Sequence, residues 1–362
     1  MKVNFKLPLL SNMKKTTKNH MVTYAMVILA FVIMQVMISM GMISNLIQGI
    51  LVPVCVYSLA AIGLNLCVGY LGELSLGHAG FMCIGAFTSA FFSKYMAATG
   101  MNETLRFILA IIIGTVSAAF FGFLIGIPVL RLKGDYLAIV TLAFGEIIKN
   151  VINVMYIGRD SNGLHFSMEK ESALGLEPGG EVIVGGAKGI LGTPSQSTFT
   201  IGIILILIAL FVVYNLVDSR SGRAIMAIRD NRIAAESVGI NITKYKLLGF
   251  SISAAIAGAG GVLYAHNLYT LSATPSTFGY TMSILILVYV VLGGIGSFRG
   301  SIVATAVLLI LPEMLRGIAD YRMLIYSIVL IGMMLFQWAP KAIEFKQKFF
   351  AKFKKNKTEE VQ

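Results

Sequence analysis

The stretch Phe199-Thr-Ile-Gly-Ile-Ile-Leu-Ile-Leu-Ile-Ala-Leu-Phe-Val-Val-Tyr-Asn-Leu-Val217 is apolar almost without interruption, and the chain turns charged immediately after it. About twenty such residues in helical form cross the ~30 Å hydrocarbon core of a bilayer. Comparable runs recur near 21–42, 46–67, 75–94, 107–130, 136–156, 247–268, 280–293, 300–315 and 323–338. Together they make about ten spans; the eighth and ninth are short and open to a re-entrant reading, which is tolerated where backbone is buried in protein. Composition agrees: of 362 residues, 57% are hydrophobic and 13% charged, with a mean hydropathy of +0.82. A soluble domain carries roughly a quarter charged residues. The fold class is therefore all-α, a polytopic membrane helical bundle.

The net charge of +12 does not point to nucleic acid, because the basic residues sit between apolar runs and at both ends rather than on one compact domain. A positive-inside bias explains that distribution. The N-terminal tail, 1–20, holds Lys2, Lys6, Lys14, Lys15 and Lys18, and the tail 341–362 is richer still. Both tails are expected in the cytoplasm, which requires an even number of spans across the transmembrane body, 21–340. Ten spans then put Arg131-Leu-Lys133 and the basic loop 218–246 inside. The loop 157–198, glycine-rich and net acidic, falls outside, where it is expected as a small hairpin or irregular cap without a core of its own. Met21 begins a run too long for a cleaved signal and reads as the first span. Cys55, Cys67 and Cys83 lie in apolar segments without metal-ligand spacing and read as small buried hydrophobes.

Three segments break the apolar monotony. In Gly69-Tyr-Leu-Gly-Glu-Leu-Ser-Leu-Gly-His-Ala-Gly-Phe-Met-Cys-Ile-Gly85, five glycines cost up to ~1 kcal/mol each inside a helix. They indicate close helix packing or a break between the second and third spans, with Glu73, Ser75 and His78 either satisfied locally or lining a path. In the fifth span, Glu146 and Lys149 are three apart and share a helix face. Charges there either pair structurally or face a cavity. Thr141 and Gly145, on neighbouring turns, let another helix approach. In the basic loop a short helix is expected over 232–238, with Asp230 or Asn231 as its N-cap and Gly239 as its left-handed end. The low profile of Ala234 and Ala235 and the single charge of Glu236 suit a groove in another protein, and an ordinary basic loop is the alternative.

The core Ala234-Ala235-Glu236-x-x-Gly239 resembles the cytoplasmic EAA loop of ATP-binding-cassette (ABC) importer permeases, in the form found in the branched-chain amino acid family. The glycine-rich motif from Gly69, Leu137-Ala-Ile-Val-Thr-Leu-Ala-Phe-Gly-Glu146 and Gly293-Gly-Ile-Gly-Ser-Phe-Arg-Gly300 are similar to that family's motifs in the same order, covering about 60–316. The likeness is nearest to the LivM type, whose partner is the LivH type. The acidic outer loop at 157–198 is long for the family and loosens the substrate assignment.

The resemblance implies the ABC importer permease fold in a bacterial cytoplasmic membrane. It implies a second permease subunit of the LivH type, two cytoplasmic ATP-binding subunits and an extracytoplasmic substrate-binding protein. Ala234, Ala235, Glu236 and Gly239, with Arg229 and Arg232, become the expected contact with the ATPase. Candidate path residues are Glu73, Ser75, His78, Glu146 and His266. No phosphate-cradling Gly-x-x-x-x-Gly-Lys-Ser/Thr loop is present, so ATP belongs to the partners and this chain is read as a transport subunit without cofactor, metal or catalytic site. The glycine cluster 257–261 reads as helix packing. Leucine, isoleucine and valine are the expected substrates. A urea or short-amide permease of the same family is the alternative, and an ion-coupled secondary transporter a more distant one.

Overall fold

The computed structural model describes residues 15–97, 99–132 and 134–315, with scattered helical residues between 324 and 335. The chain divides into two units at Thr305/Ala306. The helices are α1 (Lys15–Ser39), α2 (Asn45–Asn65), α3 (His78–Ala97), α4 (Glu103–Val129), α5 (Asp135–Val154), α6 (Phe199–Asp218), α7 (Arg220–Asp230), α8 (Arg232–Ser237), α9 (Ile242–Ala265), α10 (Pro275–Phe278), α11 (Tyr280–Gly293) and α12 (Phe298–Met314). Among the described residues, seven helices are long and apolar enough to cross a membrane: α1, α2 with its extension to Leu71, α4, α5, α6, α9, and α10 joined to α11. α3 and the 17-residue α12 are not among them, and the tenth expected span, 323–338, lies largely outside the described residues. The charged tails, on which the expected orientation leaned, lie almost wholly outside them too.

α9 forms the centre, packed against α2, α3 and α4. It can do so because small residues bring the backbones together. A Cβ on Gly261 would sit 2.0 Å from the Met82 carbonyl oxygen, and one on Gly85 would sit 2.3 Å from that of Gly258. Alanines at 254, 257 and 265 complete the buried stripe of α9. The cluster at 257–261 is thus a helix-packing device.

Helix starts follow local chemistry. Asn102, Ser219, Asn231 and Asn241 each accept a hydrogen bond from a backbone N–H in the first turn of α4, α7, α8 and α9. α11 is short: 14 residues rise roughly 21 Å, less than the ~30 Å hydrocarbon core.

The loop expected outside is more ordered than its polarity suggested. Strands β1 (Tyr156–Asp160), β2 (Gly163–Ser167) and β3 (Glu181–Gly185) form an antiparallel sheet in the order β2-β1-β3. A second pair joins β4 (Ile190–Leu191) to β5 (Thr270–Leu271). Leu174, Ile183, Val184 and Ile190 are buried, so the segment does build apolar packing. Five-residue strands too short to register as periodicity supply it. Asp160 closes the β1–β2 turn by accepting from the N–H groups of Asn162 (2.8 Å) and Gly163 (3.2 Å) and pairing with His165 (2.9 Å). Burial raises the Asp160 pKa, but the backbone N–H groups of Asn162 and Glu177 and the His165 ring outweigh it and hold the carboxyl below its ordinary value. A depressed native pKa means the turn's stabilisation is present above the unfolded-state value and is lost only as pH falls through the lower native one. The His165–Asp160 contact, followed by NMR titration, is expected to survive acidification through the ordinary carboxylate range.

The connections sort into two ends. Residues 66–77, 134–135, 218–246 and 294–298 gather at one. At the other, Lys94 donates to the Val182 carbonyl, Gly192 N–H to Tyr269 and Gln196 N–H to His266.

Candidate coupling and translocation site

α7, α8 and the start of α9 form a compact hairpin. Ile228, Ala235 and Ile242 make its small core, with Ile240 and Tyr245 packed beside it. The Asn231 side chain accepts from Ala234 N–H at 3.0 Å, and Gly239 ends the helix at φ +83°, a conformation that a Cβ disfavours. Ala235 is therefore the seat, whereas Ala234, Glu236 and Gly239 face outward. Ile233 and Val238 stand 81% and 75% exposed on either side of Glu236. The sequence motif did not single out those two side chains. They make the outward face of α8 an apolar surface bearing one carboxylate.

This hairpin is tied directly to the break in the second span. α2 widens into a π-helical turn over Leu66–Leu71 and stops at Gly72, left-handed at φ +72°. Arg229 Nη1 donates to the Gly69 carbonyl at 2.8 Å, while its Nε and Nη2 hold Asp230. A Cβ at Gly72 would lie 2.6 Å from Arg229 Cγ, so the glycine lets the arginine pass. Glu73 forms an ion pair with Lys246 in the first turns of α9; their side chains are 12% and 8% exposed. Arg232 joins these groups in lining a cleft of about 340 Å³ between the break, the start of α5 and the hairpin.

The other wall of the break is the loop 293–300. Asn65 Oδ1 accepts from Gly296 N–H at 2.7 Å and Asn65 Nδ2 donates to Ser301 Oγ at 2.7 Å. Tyr70 donates to the Gly296 carbonyl at 3.1 Å and stacks on Phe298. The glycine-rich motif, the 293–300 motif and the loop 218–246 are thus one structure rather than three.

Beyond Gly72 the chain runs without helix to His78. Ser75 is buried, its hydroxyl 3.5 Å from the Gly77 N–H that it receives. Thr141 Oγ1 accepts from Leu76 N–H at 3.0 Å, and Gly145 packs so tightly on Gly80 that a Cβ there would lie 2.7 Å from its Cα. His78 Nε2 meets Ser253 Oγ at 2.7 Å, and that hydroxyl donates to the Gly63 carbonyl. The other ring nitrogen, Nδ1, is buried without a partner among the described residues.

Glu146 and Lys149 pair within α5. Glu146 also accepts at 2.6 Å from the N–H of Tyr280, the first residue of α11, so its charge faces the positive end of that helix. On the same flank of α5, Asn150 is exposed, and Tyr280 and Thr281 of α11 are exposed beside it. The neighbouring flank shows only Ile147, Val151 and Val154. The polar flank does not suit lipid; its geometry suits a partner helix or a wet path. His266 is placed otherwise. Its ring is fully buried, Nε2 meets Ser93 Oγ at 2.7 Å, Nδ1 meets the Val262 carbonyl at 2.9 Å, and Phe107 packs edge-on against it. It locks α3, α4 and α9 together and stands apart from the other four candidates. No group of metal-ligating side chains occurs among the described residues.

The family model for the permease component of branched-chain amino acid transport systems matches residues 46–337. The high-affinity branched-chain amino acid transport system permease protein LivM of Salmonella typhimurium is 38% identical over 298 residues, 80% of this chain and 67% of that one. The permease protein LivH of the same organism is 25% identical over 70% of this chain and 79% of its own. A nucleoside ABC transporter permease protein, NupC of Lactococcus lactis, is 24% identical over 54% of this chain and 60% of its own. No solved structure matches.

Proposed function

This chain belongs to the branched-chain amino acid transport permease family, and we propose from that premise that it is one permease subunit of an ATP-driven importer for leucine, isoleucine and valine. The observation that carries the reading is the continuous tie from the exposed face of α8, through Arg229 and Lys246, to the broken helix at 66–77. The second permease is of the LivH type, two ATP-binding subunits sit in the cytoplasm, and an external binding protein delivers the substrate. The end holding 66–77, 134–135, 218–246 and 294–298 is cytoplasmic, in a bacterial plasma membrane. Its abundance of Arg and Lys supports that orientation.

Coupling then has a physical route. The ATPase grips Ile233, Glu236 and Val238. Displacement of α8 pulls Arg229 against the Gly69 carbonyl and Lys246 against Glu73. Both contacts bear on the non-helical segment before α3, where few hydrogen bonds resist rearrangement. Gly77 and Gly80 slide on Thr141 and Gly145, and α5 moves with them. The flank holding Glu146 and Asn150 forms a wall of the path together with the second permease. Ile, Leu and Val side chains need apolar surroundings there, while the paired Glu146 and Lys149 keep the wall neutral overall. Specificity rests with the external binding protein, so no tight site is needed here.

Two measurements test this. Leucine uptake should cease in ATP-depleted cells that keep an intact proton gradient; persistence refutes the ATP-driven reading and favours an ion-coupled carrier. Glu236→Lys should cut uptake at least tenfold while leaving the amount of chain in the membrane unchanged, since the exposed Glu236 side chain makes no hydrogen bond or ion pair among the described residues. Normal uptake by that variant removes α8 from the coupling role.

A further inference from the structure

An apolar groove of about 460 Å³ opens between α3, α4 and α5, on the apolar flank of α5 that carries Ile147 and Val151. Its wall includes Phe87, Phe91, Phe121, Phe144, Ile147 and Val151. Thr88 also lines it, but its hydroxyl donates back to the Ile84 carbonyl at 2.7 Å and so is spent within its own helix. The rim residues Phe121, Leu124, Ile147 and Val151 are each at least 40% exposed. A zwitterionic amino acid finds no partner for its charges there, so the groove is not part of the substrate path.

Depth and length identify the occupant. Along α5 the lining runs from Phe144 to Met155, which at 1.5 Å per residue is roughly 16 Å, about half of the ~30 Å hydrocarbon core. The groove therefore reaches through one leaflet and ends under the sheet, where Ile157 and Val184 close it. The apolar surface continues past that point. Phe166, paired with Ile157, and Leu164, paired with Arg159, stand on the same sheet face, and both are more than half exposed. A cation sits at this end. Phe91 in the wall stacks on Tyr95, and the Arg159 guanidinium lies 4.7 Å over the Tyr95 ring while donating to the Tyr95 carbonyl at 3.1 Å. Glu181, opposite Arg159 in the sheet, is taken by Lys94 at 3.0 Å, so the Arg159 guanidinium has no ion-pair partner among the described residues. A slot one leaflet deep beneath an aromatic ring and a spare cation has the layout of a phospholipid: tail, interface and phosphate.

We infer that this groove holds one acyl chain of a phospholipid whose headgroup phosphate rests on Arg159. The lipid lies in the leaflet nearest the sheet, the outer one in the orientation proposed above. Its role is to fill the seam between α3, α4 and α5, leaving the polar flank of α5 to the second permease. The site depends on membrane insertion and not on the transported substrate, so leucine uptake and lipid retention are separate readouts.

The test is phospholipid retained per chain by the full-length protein in mild detergent, measured by native mass spectrometry after adding phosphatidylglycerol or diacylglycerol. One phosphatidylglycerol per chain is expected, with diacylglycerol held at least tenfold more weakly. Val151→Trp, which fills the groove from its open side, and Arg159→Gln should each lower retention at least fivefold, and Arg159→Lys should restore it. Equal retention of the two lipids, or wild-type retention by both Val151→Trp and Arg159→Gln, overturns the assignment. So does high-yield cross-linking of Ile147→Cys to another protein, because the groove is then covered by polypeptide.

Discussion

Lys246→Met is expected to abolish uptake and to destabilise the chain by about 3–5 kcal/mol, the range for removing one partner of a buried ion pair. Glu73 is only 12% exposed, and with Lys246 gone it keeps a largely buried charge stripped of its ion-pair partner. The segment 66–77 is then drawn toward water to solvate that charge, which undoes the arrangement that Arg229 and Asn65 hold. The double variant Glu73→Gln/Lys246→Met separates the two consequences. With no charge left to compensate, thermal stability in detergent should return most of the way to wild type, since replacing both partners of a buried pair is often close to neutral. Transport should not return, because the link between α9 and the break is absent. Recovery of both properties together would show that the pair serves stability alone.

The second large effect belongs to the centre of the bundle. Gly261→Ala places a methyl group 2.0 Å from the Met82 carbonyl oxygen, 2.8 Å from its carbon and 3.0 Å from Ala86 nitrogen. All three obstacles are backbone atoms of α3, so no rotamer change relieves the clash, and α9 must move away from α3 along its length. Overpacking of this kind costs about 3 kcal/mol, and the variant should lower both the yield of folded chain and its unfolding temperature. Gly49→Ala is the matched control. It also lies in a helix, yet no atom falls within 4 Å of the added Cβ, and Ala is the better helix former. It should be neutral or slightly stabilising. A neutral Gly261→Ala would mean that α3 and α9 are not packed as described.

What was legible in the sequence divides by the reach of the signal. Glycine density after the second span pointed to either close helix packing or a break, and the structure has both: a break at Gly72 and close packing of Gly80 on Gly145. The α8 helix was readable because its cap, Asn231, and its terminator, Gly239, lie within a few residues of the segment they delimit. The Glu146–Lys149 pair follows from helical spacing alone. In contrast, Glu73 and Lys246 are 173 residues apart, and nothing local to either names the other. The same holds for Asn65 with Gly296 and for Arg229 with Gly69. His266 looked like a path candidate because a histidine in an apolar run is conspicuous, but its partners Ser93 and Phe107 are inconspicuous and distant. The outer loop was expected as a small hairpin or irregular cap; the third strand and the apolar packing beneath it were missed because five-residue strands among glycines leave little alternation to detect. The number of spans is the coarsest part of the reading: α11 is too short to cross unaided, and its first residue, Tyr280, is held by Glu146, 134 residues away.

The most direct test of the central claim is uptake of labelled leucine and labelled urea, each at low concentration, in cells lacking this gene and in complemented cells. The account predicts that leucine uptake falls in the deletion and returns on complementation, with urea untouched and with isoleucine and valine competing. Loss of urea uptake with leucine unaffected would contradict the substrate assignment while leaving the coupling geometry in place.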